Sequence, residues 1–193
     1  MSQFLKNISY KSKAMNAHGL HSPLVYDLYT DILAEKKSFY VYGFIDQLFN
    51  KDGDFQVKEA QLLYQLLNKY DFKKGLIMGP GQASIKRVMS TISKDLEIDL
   101  EFKEGSHYEF IHFCSDCSAS DINRIPLKSY LGELQFISVS HPHKNVEQKA
   151  LWEELTTNSH VSVTIDLWSM GISFPTNKQK KQHFTLQNKH FQF

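Results

Sequence analysis

The feature that most constrains this fold is a change in the apolar pattern at Lys74. Beyond that point, short apolar runs alternate with helical stretches, which is typical of a β-sheet with crossover helices. The pattern predicts strands at about 75–79, 97–103, 108–114, 134–140 and 161–167, with helices at about 83–94 and 144–157. The tail reads as further strand at 171–174 and 183–186, so we expect the sheet to close with an antiparallel hairpin. The fold class is therefore α/β.

The part of the chain before this change is helical. Apolar residues recur there at three- and four-residue steps, and Ser22-Pro23 is a typical helix start. An amphipathic helix follows, ending near Tyr70, and its pattern places Lys58, Glu59 and Gln65 on the polar side. We therefore divide the chain into an N-terminal helical extension, 1–52, and a sheet-bearing domain, 53–193.

Composition and charge exclude several function classes. The formal net charge is +1, so no global field attracts nucleic acid, and hydrophobic residues at 41% are too frequent for a disordered chain. No apolar run reaches the roughly 20 residues that span a bilayer, and the N-terminus lacks the apolar core of a signal peptide. We expect a cytoplasmic protein that binds neither nucleic acid nor membrane.

Segments at both ends of the chain resemble a known family. The N-terminal segment is Asn-Ala-His-Gly-Leu-His-Ser-Pro-Leu-Val-Tyr-Asp-Leu-Tyr, residues 16–29. The C-terminal segments are Trp-Glu-Glu-Leu at 152–155, the run 160–174 that contains Thr-Ile-Asp-Leu-Trp-Ser-Met-Gly, and Gln-His-Phe-Thr-Leu at 182–186. These resemble bacterial class I S-adenosylmethionine-dependent methyltransferases of the O-methyltransferase type. The resemblance implies a Rossmann-like sheet, S-adenosylmethionine as cofactor and a small-molecule substrate.

The resemblance assigns cofactor-binding residues to the loop after the first strand. In the family, that strand ends in an acid and a glycine-containing loop. The corresponding segment, 76–84, keeps Gly79, and Gly79-Pro80-Gly81 can still form a tight turn beside the cofactor. However, Ile77 stands in place of the acid and Ala83 in place of a second glycine. These departures predict weakened cofactor binding.

A second cofactor contact is implied at Glu104. The segment Phe102-Lys-Glu-Gly105 is similar to the family's second strand end, where the acid accepts hydrogen bonds from the cofactor ribose. The family's next helix and strand are missing after it, so the domain is shortened in its middle. In this register Asp116 takes the place of the acid after the fourth strand. An alternative register aligns Glu104-Gly-Ser-His107 with that fourth-strand motif.

The family's fifth strand ends in Asp-Asp-Ile-His-Trp-Ser, which falls on Ser140-His-Pro-His-Lys-Asn145 when counted back from Trp152. His143 is kept and is the candidate catalytic base. Both acids are replaced, by Ser140 and His141, so the carboxylates that would hold a hard cation are missing.

Other chemistry is open to the same region. Cys114, Cys117, His141 and His143 follow neighbouring strands, and two cysteines with two histidines are a typical tetrahedral zinc set. The cysteine pair alone suits a dithiol redox role if Cys114 has a lowered pKa.

Two functions follow from the resemblance. One is a divergent methyltransferase-fold protein with impaired or lost catalysis, acting as a binding or scaffold protein and dimerising through its N-terminal helices and closing strands. The other is an active S-adenosylmethionine-dependent methyltransferase. The two differ in one geometric feature, because an active enzyme needs a cleft between Gly79 and Glu104 wide enough for a nucleoside.

Overall fold

The computed structural model describes residues 10, 21–34, 38–49, 54–117, 124–126, 129, 134–175 and 180–186. The described helices include three that precede the sheet, in the region where helical periodicity predicts them. The five described helices have the following bounds: α1 Pro23–Leu28, which continues as a π-helical turn over Tyr29–Leu33, then α2 Val41–Phe49, α3 Asp54–Lys69, α4 Gln82–Met89 and α5 Val146–Thr157. Residues 16–20 of the N-terminal motif lie outside the described residues.

The strands form one seven-stranded mixed sheet in the order β2-β1-β3-β4-β6-β5-β7. Their bounds are β1 Lys74–Met78, β2 Glu97–Asp99, β3 Phe110–Phe113, β4 Phe136–Ser140, β5 Val163–Asp166, β6 Met170–Phe174 and β7 Gln182–Thr185. Strands β2, β1, β3 and β4 run parallel, and β6 runs antiparallel to both β4 and β5. The predicted α/β, Rossmann-like fold class is confirmed.

The antiparallel hairpin is formed by β5 and β6, joined by a short turn that contains Trp168. The last strand, β7, returns to the other side of β5 and pairs with it in parallel. Both tail segments are therefore strands, as the sequence predicts, but they do not pair with each other, because β5 lies between β6 and β7.

Each face of the sheet buries a separate apolar layer. Alternation along β1 sends Ile77 to one face and Leu76 and Met78 to the other. The helices α1–α4 cover the first face, while α5 and the Tyr108 side chain cover the second. The rings of Phe110 and Phe136 stack on the first face with centroids 5.7 Å apart. Burying each such ring contributes about 1.5–3 kcal/mol, and this burial stabilises the packing of the helices against the first face of the sheet.

The second strand is shorter than predicted, and this is a correction. It ends at Asp99, and Glu104 lies further along in a turn. The reason is local hydrogen bonding, since the Tyr108 hydroxyl donates to Asp99 Oδ2 at 3.2 Å and the Lys103 amide donates to the Tyr108 oxygen at 3.1 Å. These bonds turn the chain away from the sheet edge. Residues 100–109 then reach β3 without an intervening helix or strand, which agrees with the shortened middle.

The sheet brings the carboxyl ends of β1, β3 and β4 to one edge. The chain passes from β1 outwards to β2 and then back to β3 on the opposite side of β1, so the direction of winding reverses between β1 and β3. Open α/β sheets bind their ligands at such a reversal point. Among the described residues, no helix is long and apolar enough to cross a membrane.

Candidate functional site

A cavity of about 750 Å³ opens at the carboxyl end of β1. Its walls come from the loop after β1, from the connection that follows β2 and from one residue after β3. Among the described residues, they include Met78, Gly79, Pro80, Gln82, Leu100, Glu101, Phe102, Glu104 and Arg124. The volume falls within the range of about 300–1,000 Å³ that is usual for small-molecule sites. The cleft between Gly79 and Glu104 is therefore open, and both residues line it.

The loop after β1 is shaped by two glycines with positive φ, +105° at Gly79 and +82° at Gly81. A Cβ on Gly79 would lie only 2.5 Å from Cys117 Sγ, so any other residue here would force the loop and the segment that follows β3 apart. The Gly79 amide donates to Gln82 Oε1 at 3.0 Å, which fixes the loop against the start of α4. Gly81 is the N-cap of α4 and does not itself line the cavity.

Both acidic and basic side chains lie at the mouth of the cavity. Glu104 is exposed in the turn before Gly105, and Glu101 and Arg124 share the rim with it. Apolar walls are provided by Met78, Leu100 and Phe102. A polar rim over an apolar floor suits a ligand that has a planar ring and several hydrogen-bonding groups.

Asp116 is placed in the loop after β3, in a left-handed conformation with φ of 63°. Its carboxylate accepts hydrogen bonds from Lys144 Nζ at 2.6 Å and from Asn145 Nδ2 at 3.3 Å. It thereby ties the loop after β3 to the loop after β4. Asp116 is not one of the described residues that line the cavity, and its contact with a cofactor stays a prediction.

His143 follows β4 and pairs with Asp166, the last residue of β5. The His143 Nε2 atom lies 2.7 Å from Asp166 Oδ2, and the side chains are 26% and 7% exposed. The His143 ring stacks on Trp168, with centroids 4.9 Å apart and planes 27° apart. The sequence pointed to His143 but did not identify Asp166, which comes from a distant strand. The Asp-Leu-Trp at the end of β5 was the available signal.

Tyr10 reaches the same place from the N-terminal region. Its hydroxyl lies 2.8 Å from the carbonyl oxygens of both Asp166 and Leu186, and its ring lies 5.1 Å from that of Trp168. Burial, together with the nearby charge of Asp166, raises the pKa of Tyr10 far above its ordinary value. Tyr10 therefore stays neutral and can donate to these carbonyl groups.

A buried carboxylate lies beneath the ends of β3 and β4, and sequence analysis missed it. Glu59, placed on the polar side of its helix by the sequence pattern, points into the sheet and is almost fully buried, as is Gln65. Glu59 Oε1 contacts His112 Nε2 at 3.1 Å and also the Ser140 hydroxyl. The His112 Nδ1 atom in turn lies 2.9 Å from Ser138 Oγ. In the sequence, the only sign that this side of the helix is buried is the presence of polar residues, His112, Ser138 and Ser140, in the otherwise apolar strands β3 and β4.

The charge of Glu59 follows from these contacts. Burial alone raises the pKa of its carboxyl group, but the hydrogen bond and charge of His112 and the hydroxyl of Ser140 outweigh it. The net pKa lies below the ordinary value, so the carboxylate is ionised at neutral pH. His141 Nδ1 lies 4.0 Å from Glu59 Oε2 and 3.3 Å from Ser115 Oγ.

The cysteine and histidine set does not converge. Both thiols are buried, and Cys117 Sγ donates to the Met78 carbonyl oxygen, 3.1 Å away. Within the described part of the chain, no three His, Cys, Asp or Glu side chains are grouped so as to hold a metal ion. Burial raises the pKa of the Cys114 thiol, which is opposite to the lowered pKa that the redox role needs. This geometry does not favour the zinc and redox alternatives.

Comparison with known proteins gives matches at the level of structure. No protein-family model matches the chain, and no significant match to a curated protein is found. A methyltransferase from Geobacter sulfurreducens matches with 10% identity and a TM-score of 0.46, over 80% of this chain and 97% of that one. The O-methyltransferase TomG from Streptomyces achromogenes, solved in complex with S-adenosylmethionine, matches with 11% identity and a TM-score of 0.43. That match covers 79% of this chain and 96% of that one.

The architecture of the chain is α/β and Rossmann-like. The assignment concerns architecture, namely the mixed sheet with its crossover helices and terminal antiparallel hairpin. Function has to be argued from the site, because one fold supports many activities.

Proposed function

We propose that this protein binds S-adenosylmethionine in the cavity between Gly79 and Glu104 and methylates a small molecule. The observation that carries the proposal is the open cavity itself. It lies beside the point where the sheet reverses its winding, and filled side-chain packing there would have argued for a protein that no longer binds a nucleoside.

The residues around the cavity fit the chemistry of that cofactor. Phe102, Leu100 and Met78 offer apolar contact to a purine ring, and Glu104 can accept hydrogen bonds from a ribose diol. The carboxylates of Glu101 and Glu104 favour a ligand that carries positive charge. Because a Cβ at Gly79 would meet Cys117 Sγ, glycine at this position keeps the cavity-lining loop against the segment that follows β3.

The remaining residues would act on the substrate. When bound, S-adenosylmethionine supplies an electrophilic methyl group on a sulfonium sulfur. The chain then has to hold a nucleophile in line with that methyl group and remove its proton, and orientation alone can supply much of the rate. His143 lies at the same edge of the sheet, on the loop after β4, roughly 10 Å along from β1 by strand spacing. It is the residue we assign to accept the proton.

Calorimetric titration with S-adenosylmethionine and with S-adenosylhomocysteine tests the binding step. We expect a dissociation constant in the micromolar-to-millimolar range, weakened about tenfold by Glu104→Ala, which corresponds to the loss of one or two hydrogen bonds. Glu97→Ala is the matched control, since Glu97 is exposed on β2 and does not line the cavity. No heat and no thermal shift at millimolar ligand, or equal losses in the two variants, would contradict the proposal.

A second candidate function is non-catalytic binding. It is favoured by two strand ends at which the resemblance leads us to expect an acid. Ile77 is buried in the helix-facing core and Ser140 is buried against Glu59, so neither position offers a carboxylate to a ligand. In this case the protein would be a scaffold, dimerising through its N-terminal helices and closing strands. Binding of the cofactor without methyl transfer to any of a panel of phenols, catechols and amines, with a dimeric mass by light scattering, would favour it.

A further inference from the structure

We propose that Asp166 is the positioning residue for His143, fixing the ring so that Nδ1 is the atom that takes the substrate proton. The proposal rests on the proposed function for its chemistry. It rests on the geometry of three side chains for its evidence: His143, Asp166 and Trp168. Nothing in the sequence resemblance assigns a role to Asp166.

Hydrogen-bond accounting decides the tautomer. Asp166 Oδ1 accepts from the Trp168 amide at 2.8 Å, and Asp166 Oδ2 lies 2.7 Å from His143 Nε2. An ionised carboxylate can only accept, so the hydrogen of the second bond must be on Nε2. In neutral imidazole the other nitrogen then carries a lone pair. The Nδ1 atom of His143 is thus the basic one.

The ring is also held in place by packing. Trp168 stacks on one face of the imidazole, and the Trp168 backbone adopts a left-handed conformation, with φ of 67°, that a bulky residue rarely takes. The Asp166 carboxylate stabilises that turn by accepting a hydrogen bond from the Trp168 amide. Strained backbone of this kind is often kept where it places a functional group. The Tyr10 ring contacts both Trp168 and His143, with centroids 5.1 Å and 6.4 Å away, and its hydroxyl hydrogen-bonds to the Asp166 carbonyl oxygen.

The solvent exposure of the two side chains is consistent with His143 as the base and Asp166 as its buried partner. His143 is partly open to solvent, whereas Asp166 is nearly buried. In the step we infer, the proton of a substrate O–H or N–H group moves to Nδ1 and its electron pair stays on the oxygen or nitrogen. The imidazolium that forms faces the Asp166 carboxylate, which balances the new charge. The substrate class is therefore a molecule whose nucleophile carries an ionisable proton.

Asp166→Asn is the sharpest test because it keeps the shape and reverses the hydrogen bonding. The Trp168 amide still needs an oxygen, so the asparagine NH₂ group turns towards His143 and can only donate. Nε2 must then accept, and the proton moves to Nδ1. Nitrogen-15 NMR of the histidine rings should show the Nε2–H form of His143 in the wild-type protein and the Nδ1–H form in Asp166→Asn. This exchange tests the hydrogen bond between the two side chains, and the rate of methyl transfer tests its role in the reaction.

The functional consequence is measured separately from cofactor binding. In an analogous aspartate-to-asparagine change in a serine protease, the wrong tautomer lowers turnover by about 10⁴-fold. We expect methyl transfer by Asp166→Asn to fall at least about 10²-fold while the calorimetric dissociation constant for S-adenosylmethionine stays within about twofold of wild type. Asp71→Asn, at an exposed aspartate near β1, is the matched control and should change neither.

The outcomes separate the two proposals. Failure of the protein to bind S-adenosylmethionine overturns the proposed function, whereas the tautomer measurement still decides whether Asp166 fixes the His143 ring. An Nδ1–H form in the wild-type protein overturns the role of Asp166 even if Asp166→Asn does not fold. An unchanged tautomer in Asp166→Asn, or methyl transfer at the wild-type rate, also overturns it.

Discussion

Replacing Gly79 by alanine tests how closely the loop after β1 is fitted to β3. The residue has φ of +105°, and its Cβ would lie 2.5 Å from Cys117 Sγ and 3.2 Å from Cys114 Cβ. A left-handed conformation costs an L-residue about 1–2 kcal/mol, and forcing an atom into a packed site costs about 1–3 kcal/mol. We therefore expect Gly79→Ala to lower the free energy of unfolding by about 2–5 kcal/mol.

Gly81→Ala separates the two contributions, because Gly81 also has positive φ, +82°, yet nothing lies within 4 Å of its Cβ position. It should cost only the backbone part, about 1–2 kcal/mol. Urea unfolding followed by circular dichroism measures both variants. Adding Cys117→Ala to Gly79→Ala should recover part of the difference, since the sulfur is the nearest obstacle. Equal losses in the two glycine variants would refute the reasoning, because the contact with Cys117 would then contribute nothing.

Two further predictions concern buried groups. The lowered pKa of Glu59 means that its contribution to stability is complete above its ordinary value of 4.5 and is lost as the pH falls through the lowered pKa. Glu59→Gln should therefore be less stable than wild type by about 1–3 kcal/mol at pH 7, and the gap should narrow towards about pH 3 in urea titrations. A gap that does not change with pH would contradict this assignment of charge. Because burial raises the pKa of Cys114, iodoacetamide should alkylate it at least about tenfold more slowly in the native protein than in urea, as read by mass spectrometry. Equal rates would show that the thiol is exposed.

The strands and helices could be predicted from the sequence because their signal is local. The apolar runs at β1, β3, β4 and β5 lie within a few residues of their predicted bounds, since alternation and short length are properties of each run. The exception is β2, where side-chain bonds of Asp99 and Tyr108 end the strand early. Such a stop depends on a residue that is close in space and has no periodic signature.

The candidate site was only partly visible in the sequence. Gly79, Glu104 and His143 were named from the resemblance. Gly79 and Glu104 line the cavity, and His143 lies on the loop after β4. The partners that give these residues their chemistry were not named. Asp166 reaches His143 from β5, and Glu59 reaches His112 and Ser140 from a helix that precedes the sheet. In the helix pattern Glu59 was indistinguishable from a solvent-facing carboxylate.

By itself, the sequence determined the α/β class, the helical start and the position of most elements, because periodicity and turn residues act over a few residues. Tertiary structure alone decided the order β2-β1-β3-β4-β6-β5-β7, the open cavity and the pairing of His143 with Asp166. The physical reason is that burial and hydrogen bonding depend on which distant segments share a neighbourhood. A carboxylate becomes a buried partner or a solvated surface group according to what the fold places beside it.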